Sequence, residues 1–318
     1  MSLCVAASGA QWTIGRGDQA AVVVEVGGGL REYRVAADEI LDGYAEGEIA
    51  PGAAGQVLAP WPNRLRDGAF RFEGEQHQLP LSEPSLHNAL HGLVRWAPWR
   101  AVAHTADSVT MEYILHPQPG YPWRLLLRSK YTVEPDGLRV VHSAQNLSDR
   151  KAPFGLGTHP YVRIPGVPLA DLELCIKART RLLVDGRLLP IGAARVAGGE
   201  FDYSTPRRIG AANLNVAFGG VWRDPEGRSE AIISGPDGRS VKVWADSSFG
   251  WWQLYTGDAL AGERRRRSIA LEPMTCPPDA LRSGRDLITI SPGDTWTGQW
   301  GITAAAGLDS DRLLEQLG

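Results

Sequence analysis

Apolar and polar residues alternate with period two along most of the chain, and the alternating runs are separated by turn residues rather than long polar linkers. Residues 20–26, AAVVVEV, lead through Gly27-Gly28-Gly29 into LREYRV, which reads as a hairpin with a glycine turn. Residues 69–79, AFRFEGEQHQL, alternate in the same way. Leu125 to Val133 runs into Glu134-Pro135-Asp136-Gly137, a turn by its own chemistry, and LRVVHSAQN returns. The clearest case is EAIISGPDGRSVKVWA, where Gly235-Pro236-Asp237-Gly238 divides two β-rich runs. DLITISPGDTWTGQWGITA predicts the same scheme about Pro292-Gly293. Helical periodicity is confined to SDRLLEQL at the C-terminus, with a weaker candidate at ADEILDGY. There is no linker, low-complexity tract or repeat of fixed period, and the 37 glycines and 22 prolines are spread as turn punctuation. The pattern predicts an all-β protein built as one large β-sandwich over residues 1–318.

Composition narrows the function. With 43% hydrophobic and 22% charged residues the chain is ordinary globular protein, and a formal charge of −3 argues against a general nucleic-acid or membrane-surface role. No apolar run approaches the roughly 20 residues needed to span a bilayer. The start, MSLCVAASGAQWTIGRGD, lacks a basic region followed by an apolar core, and Cys4, Cys175 and Cys276 are scattered and odd in number. Reduced thiols in a cytoplasm are expected, with Cys276 packed and inert despite its nearness to Glu272.

Candidate chemistry gathers in a few short runs. His159 lies in GLGTHPYVRI, after glycines that permit close backbone approach and before Pro160, which stiffens the chain beyond it. By itself a histidine in a β protein is more often structural than catalytic; the bent segment gives this one a defined direction. Glu272, in IALEPMTCPPDAL, ends an apolar strand, where a carboxylate is costly unless it faces a polar cavity. Together they offer an acid and a base near neutral pH, enough to open and close a sugar hemiacetal with no metal, nucleophile or cofactor. LAPWPNRLRDGAF carries Asn63, Arg64 and Arg66, and the fork of Arg64 suits sugar hydroxyls or, alternatively, a surface ion pair. In LHNALHGLVRWAPW the histidines 87 and 91 have the spacing of a helical zinc motif. No Glu follows His87, and Gly92 and Pro98 oppose a helix, so His91 is instead a candidate hydrogen-bond donor. VWADSSFGWWQLYTG supplies Gln253 among aromatics that fill a core or pave a sugar cleft. The run Arg264–Arg267 reads as a solvated loop, with contact to a phosphate or sulfonate as the alternative.

Taken in chain order, PWPNRLRDGAF, ALHGLVRWAPW, PFGLGTHPYVRI, VDGRLLPIG, FGWWQLYTG, IALEPMTCPPDAL and SPGDTW resemble the aldose 1-epimerase (galactose mutarotase) family over most of the chain. The LHGLVRW form looks most similar to the bacterial branch that includes proteins proposed to mutarotate a sulfonated glucose. The resemblance implies a twisted β-supersandwich with a metal-free cleft, His159 as general acid, Glu272 as general base, and Arg64 and His91 holding the sugar. Asn63, Asn215, Gln253 and Arg95 join the expected substrate-binding set. One departure stands out: LNVAF places Asn215 where the family often has an aspartate, removing a charge while keeping a donor and an acceptor. Two alternatives share the fold, a mutarotase for a phosphorylated or sulfonated hexose and a non-catalytic sugar-binding protein; binding alone needs neither acid nor base. The expected partner is a small-molecule sugar, not nucleic acid or membrane, and the expected assembly a monomer or homodimer.

Overall fold

The computed structural model describes residues 6–305, so the helical periodicity of SDRLLEQL lies outside the described residues. Among them the strands gather chiefly into a nine-stranded and an eight-stranded sheet, with a four-stranded N-terminal sheet and three two-stranded ribbons alongside. The nine-stranded sheet is built around the long antiparallel hairpin Leu125–Glu134 and Gly137–Asn146, with Thr295–Ala305 paired on its far side. Period-two patterning decides which face it buries. Leu125, Leu127, Tyr131 and Val133 point inward on one strand, and Leu138, Val140 and Ala144 meet them from the other.

The eight-stranded sheet runs in the order Pro190–Arg195, Thr180–Val184, Asn215–Gly219, Trp251–Tyr255, Ile269–Met274, Gly157–Thr158 and Val57–Leu58, with Tyr161–Val162 also pairing Ile269–Met274. Its inner face sends Phe218, Trp252, Leu254 and Leu271 into the same cluster as the inner residues of the larger sheet. The core therefore lies between two sheets, and truncating an aromatic such as Trp252 is expected to cost about 3–5 kcal/mol. The opposite face carries Ala217, Gln253, Tyr255 and Glu272, and strand alternation turns these side chains away from the core.

Most predicted turns are found where the sequence puts them. Two expectations are corrected. ADEILDGY is no helix: Asp38–Glu39 adds a short strand to Leu30–Val35, and Ile40 and Leu41 are then buried with their amides bonded to the carbonyl of Tyr33. DLITISPGDTWTGQWGITA is no hairpin: Ile288–Ile290 pairs with Ala152–Phe154, while Thr295–Ala305 crosses to the nine-stranded sheet. The Pro292-Gly293 turn is tied instead to Asn146, whose carbonyl accepts the Gly293 amide at 2.9 Å.

Candidate active site

Cross-strand register assembles the centre of the site. Gly157 pairs with Met274 and Tyr161 with Ala270, and the same antiparallel register sets His159 opposite Glu272. On the other side of that strand, Gln253 is the direct partner of Glu272. Gln253, Glu272 and His159 thus form a row across three neighbouring segments on one face of the sheet. The imidazole Nε2 lies 3.3 Å from Glu272 Oε1, and the two side chains are 6% and 2% exposed. His159 Nδ1 and Glu272 Oε2 are buried with no hydrogen-bond partner. Such orphaned polar atoms are costly to bury and mark a place where a ligand's polar groups fit.

A second wall comes from two loops locked to each other. The His91 amide donates to Asn63 O at 2.9 Å, and the Asn63 amide donates to His91 Nδ1 at 3.2 Å. With Nδ1 accepting, Nε2 carries the proton and is a donor. Both residues have positive φ, and Gly92 after them (φ 71°) could not be replaced, because a Cβ there would lie 2.0 Å from Ala59 O. Gly157 has a related role, since a Cβ would stand 2.7 Å from Pro62 and push the Asn63–Arg64 loop away. Arg64 is fixed by a two-pronged ion pair, Nε to Glu83 Oε2 at 2.8 Å and Nη2 to Oε1 at 2.7 Å. Gln253 Nε2 donates to Asn215 Oδ1 at 2.8 Å.

These groups line a cleft of about 780 Å³. Its electrostatics follow from burial. Desolvation pushes the Glu272 carboxyl well above the usual carboxylate range, opposed by the charge of Arg64. Desolvation lowers His159 to about 3, and it holds His91 well below its ordinary value, helped by His159, Arg95 and Arg64. Burial therefore favours a single proton on the His159–Glu272 pair, resting on the carboxylate.

The comparisons with known proteins agree on one family. The family model for aldose 1-epimerase matches residues 10–303. The chain belongs to the aldose 1-epimerase family. It is similar to the Escherichia coli (strain K12) protein named "Uncharacterized protein YihR", 32% identical over 291 residues and 90% of each chain. Among solved structures it is similar to the GalM/aldose epimerase homologue from C. elegans, with TM-score 0.83 and 18% identity over 94% of this chain and 99% of that one. It is also similar to galactose 1-epimerase from Lactobacillus acidophilus NCFM, with TM-score 0.77 and 22% identity over 93% of this chain and 94% of that one.

Within this family member, the eight residues of the expected catalytic and substrate-binding set, Asn63, Arg64, His91, Arg95, His159, Asn215, Gln253 and Glu272, line one cleft. Arg66 does not; it pairs with Asp185 at 3.4 Å. His87 is exposed and bonded to Asp67. The 264–267 run is no cleft wall; Arg265 is solvent-exposed as expected, whereas the other three arginines are paired. Arg264 pairs with Glu48, Arg266 with Asp258 and Arg267 with Asp42, and none of the four lines the cleft. Cys276 is buried and its thiol is pushed up to about 12 by burial, so it is inert at neutral pH. Of the aromatics, Tyr255 faces the cleft while Trp252 is core. Sequence reasoning missed Glu83, for which no local signal exists. It also missed Tyr161, whose ring centroid is 4.9 Å from that of His159; its place two residues after His159, on the same strand face, was the available signal. No helix among the described residues is long and apolar enough to cross a membrane.

Proposed function

We propose that this protein interconverts the α and β anomers of an aldose by acid–base ring opening and closure. The observation that carries the reading is the buried His159–Glu272 pair, 3.3 Å apart on the cleft floor with one unpartnered polar atom on each side chain. Glu272 takes the proton of the anomeric hydroxyl, and protonated His159 gives one to the ring oxygen. The C1–O5 bond breaks, the aldehyde turns about C1–C2, and the two transfers run in reverse to close the ring on the other face. After opening, the proton rests on Glu272 and His159 is neutral, which is the state that burial favours. The reactive state differs from it only by one proton transferred within the pair, so the active site needs one proton in total rather than a histidine of ordinary pKa. His91 Nε2–H, Arg64 and the Gln253–Asn215 pair supply hydrogen bonds to the remaining hydroxyls.

A second reading is favoured by Arg95. It lines the cleft half-buried, burial lowers its pKa, and it forms no ion pair among the described residues. A half-buried guanidinium with no ion pair among the described residues is suited to an anionic substituent, and Asn215 leaves out a negative charge that would repel one. A phosphorylated or sulfonated hexose is the substrate class on this reading. Polarimetry or saturation-transfer NMR across neutral, phosphorylated and sulfonated aldoses tests both. Acceleration over buffer for at least one sugar is expected, and Arg95→Ala is expected to reduce efficiency on anionic sugars selectively if the second reading holds. No acceleration with any of them would contradict anomerisation.

A further inference from the structure

A second cavity, of about 320 Å³, shares no lining residue with the cleft and is rich in arginine. The strand Leu30–Val35 brings Arg31 and Arg34, the chain just after Tyr161–Val162 brings Arg163, and the loop before Ile269–Met274 brings Arg264 and Arg267. Three carboxylates face them, those of Glu32, Glu39 and Asp42. The lining therefore carries a formal charge of +2, or +1 once Glu48, which holds Arg264 from outside the lining at 3.0 Å, is counted. The whole chain carries −3, so the positive charge gathered here runs against its balance.

Hydrogen bonding separates the arginines that build the wall from those left over. Arg31 is buried and donates to Gln11 Oε1 at 2.9 Å and to the Tyr44 carbonyl at 2.7 Å, beside its ion pair with Glu32. Asp42, also buried, accepts from Arg267 Nη2 on one oxygen and from Ser268 Oγ on the other, at 2.7 Å. Three donor groups remain unspent. Arg267 Nε is buried with no hydrogen-bond partner. Among the described residues Arg163 meets Glu39 alone, at 3.7 Å, and that carboxylate is 71% exposed, so the pair is loose. Arg34 forms no ion pair among the described residues and reaches only the Ala36 carbonyl, at 3.5 Å. Guanidinium forks with so few acceptors suit a tetrahedral oxyanion, whose oxygens can bridge several of them at once. Each lining carboxylate already has an arginine and the lining holds no histidine, so the chemistry here is binding rather than reaction.

We propose that this cavity is a binding site for a phosphate group, free or carried on a small ester, held by Arg34, Arg163 and Arg267 Nε. The ligand ties together three stretches of chain that are far apart in sequence, so its binding stabilises the folded protein. Glu39 competes with it for Arg163 and sets a limit on its affinity. The site stands independently of the anomerisation reading, because none of its residues lines the cleft.

The experiment titrates the full chain with inorganic phosphate and with glycerol phosphate in a calorimeter at constant ionic strength, with thermal melts alongside. The expected result is saturable binding of at least one of them with Kd of about 1 mM or tighter. The melting temperature should rise with the same ligand and not with sodium chloride at equal ionic strength. Arg163→Ala is expected to weaken binding at least about tenfold and Arg34→Ala about threefold, while Glu39→Gln tightens it about threefold by freeing Arg163. Arg95→Ala, in the cleft, is expected to leave it unchanged. Whichever of the two ligands binds more tightly identifies the source of the phosphate group and supports the site. No saturable binding, a stabilisation that chloride reproduces, or an affinity unchanged in both Arg163→Ala and Arg34→Ala would overturn it. Binding lost in Arg95→Ala and kept in Arg163→Ala would also overturn it, by moving the phosphate to the cleft.

Discussion

Two buried histidines, one in each large sheet, separate what burial does from what a site needs. His142 sits in the core of the nine-stranded sheet and His159 on the cleft face of the eight-stranded one, and burial lowers both to about 3. His142 has both ring nitrogens satisfied: Nδ1 lies 2.8 Å from Ser129 Oγ, and Nε2 accepts the Trp300 indole N–H at 2.9 Å. His159 has Nδ1 unpartnered and Nε2 against a buried carboxylate that is itself half-satisfied. A depressed pKa is common to both and identifies neither. The unspent hydrogen-bonding capacity beside a second titratable group is what distinguishes the candidate catalytic histidine from the structural one.

The largest effect that contrast predicts is on turnover. His159→Ala and Glu272→Gln are each expected to lower kcat by at least about a hundredfold, as loss of one proton-transfer partner does. Glu272→Gln is expected to do so without losing stability at neutral pH. Its folded-state pKa is raised, so the ionised carboxylate contributes a destabilisation that grows as pH rises above its unfolded value. Thermal melts alongside anomer-exchange rates check both halves; a marked fall in melting temperature for Glu272→Gln would mean that the carboxylate is structural.

His142→Ala is expected to invert this pattern. It leaves Ser129 and Trp300 without their partner and opens a cavity, costing about 2–4 kcal/mol of stability, while turnover per folded molecule changes less than about twofold. The sign of the pH effect is set by the lowered pKa. The neutral imidazole's contribution is complete above about 6.5 and is lost as pH falls towards about 3. Acid melts of the natural protein should therefore be steeper than those of His142→Phe. Comparable loss of activity in His142→Ala would erase the distinction between the two histidines.

The smallest effect concerns the rate profile. Because burial drives His159 down and Glu272 up, the span in which the pair holds one proton is widened. The ratio kcat/KM is expected to stay flat between about pH 5 and pH 7 and to show no step near 6.5, the ordinary histidine value. A clear inflection there would place a solvated histidine, not this pair, in the rate-limiting transfer.

Sequence carried much of this because local chemistry settles local structure. Gly235-Pro236-Asp237-Gly238 and Glu134-Pro135-Asp136-Gly137 fix their hairpins, and the apolar run before Glu272 marks a buried strand whose charge needs a reason. What it left undecided depends on distant partners. Ser291-Pro292-Gly293-Asp294 has the chemistry of a hairpin turn, yet its flanking strands find better-matched neighbours in different sheets. The 264–267 arginines read as solvated because Glu48, Asp258 and Asp42, which hold three of them, are scattered in sequence. Glu83 was illegible for the same reason, since only folding brings it to Arg64. The family resemblance supplied the pairing of His159 with Glu272; the register Gly157 to Met274 and Tyr161 to Ala270 supplies its physical cause.

The most direct test of the central claim, that His159 and Glu272 work as one proton-sharing unit, is a double-mutant cycle read by saturation-transfer NMR on the best aldose substrate. With Glu272→Gln and His159→Ala each lowering kcat by about a hundredfold or more, the combined variant is predicted to be about as slow as either single one, because removing one member already disables the exchange. Losses that multiply, or a well-folded Glu272→Gln variant with near-normal turnover, would contradict it.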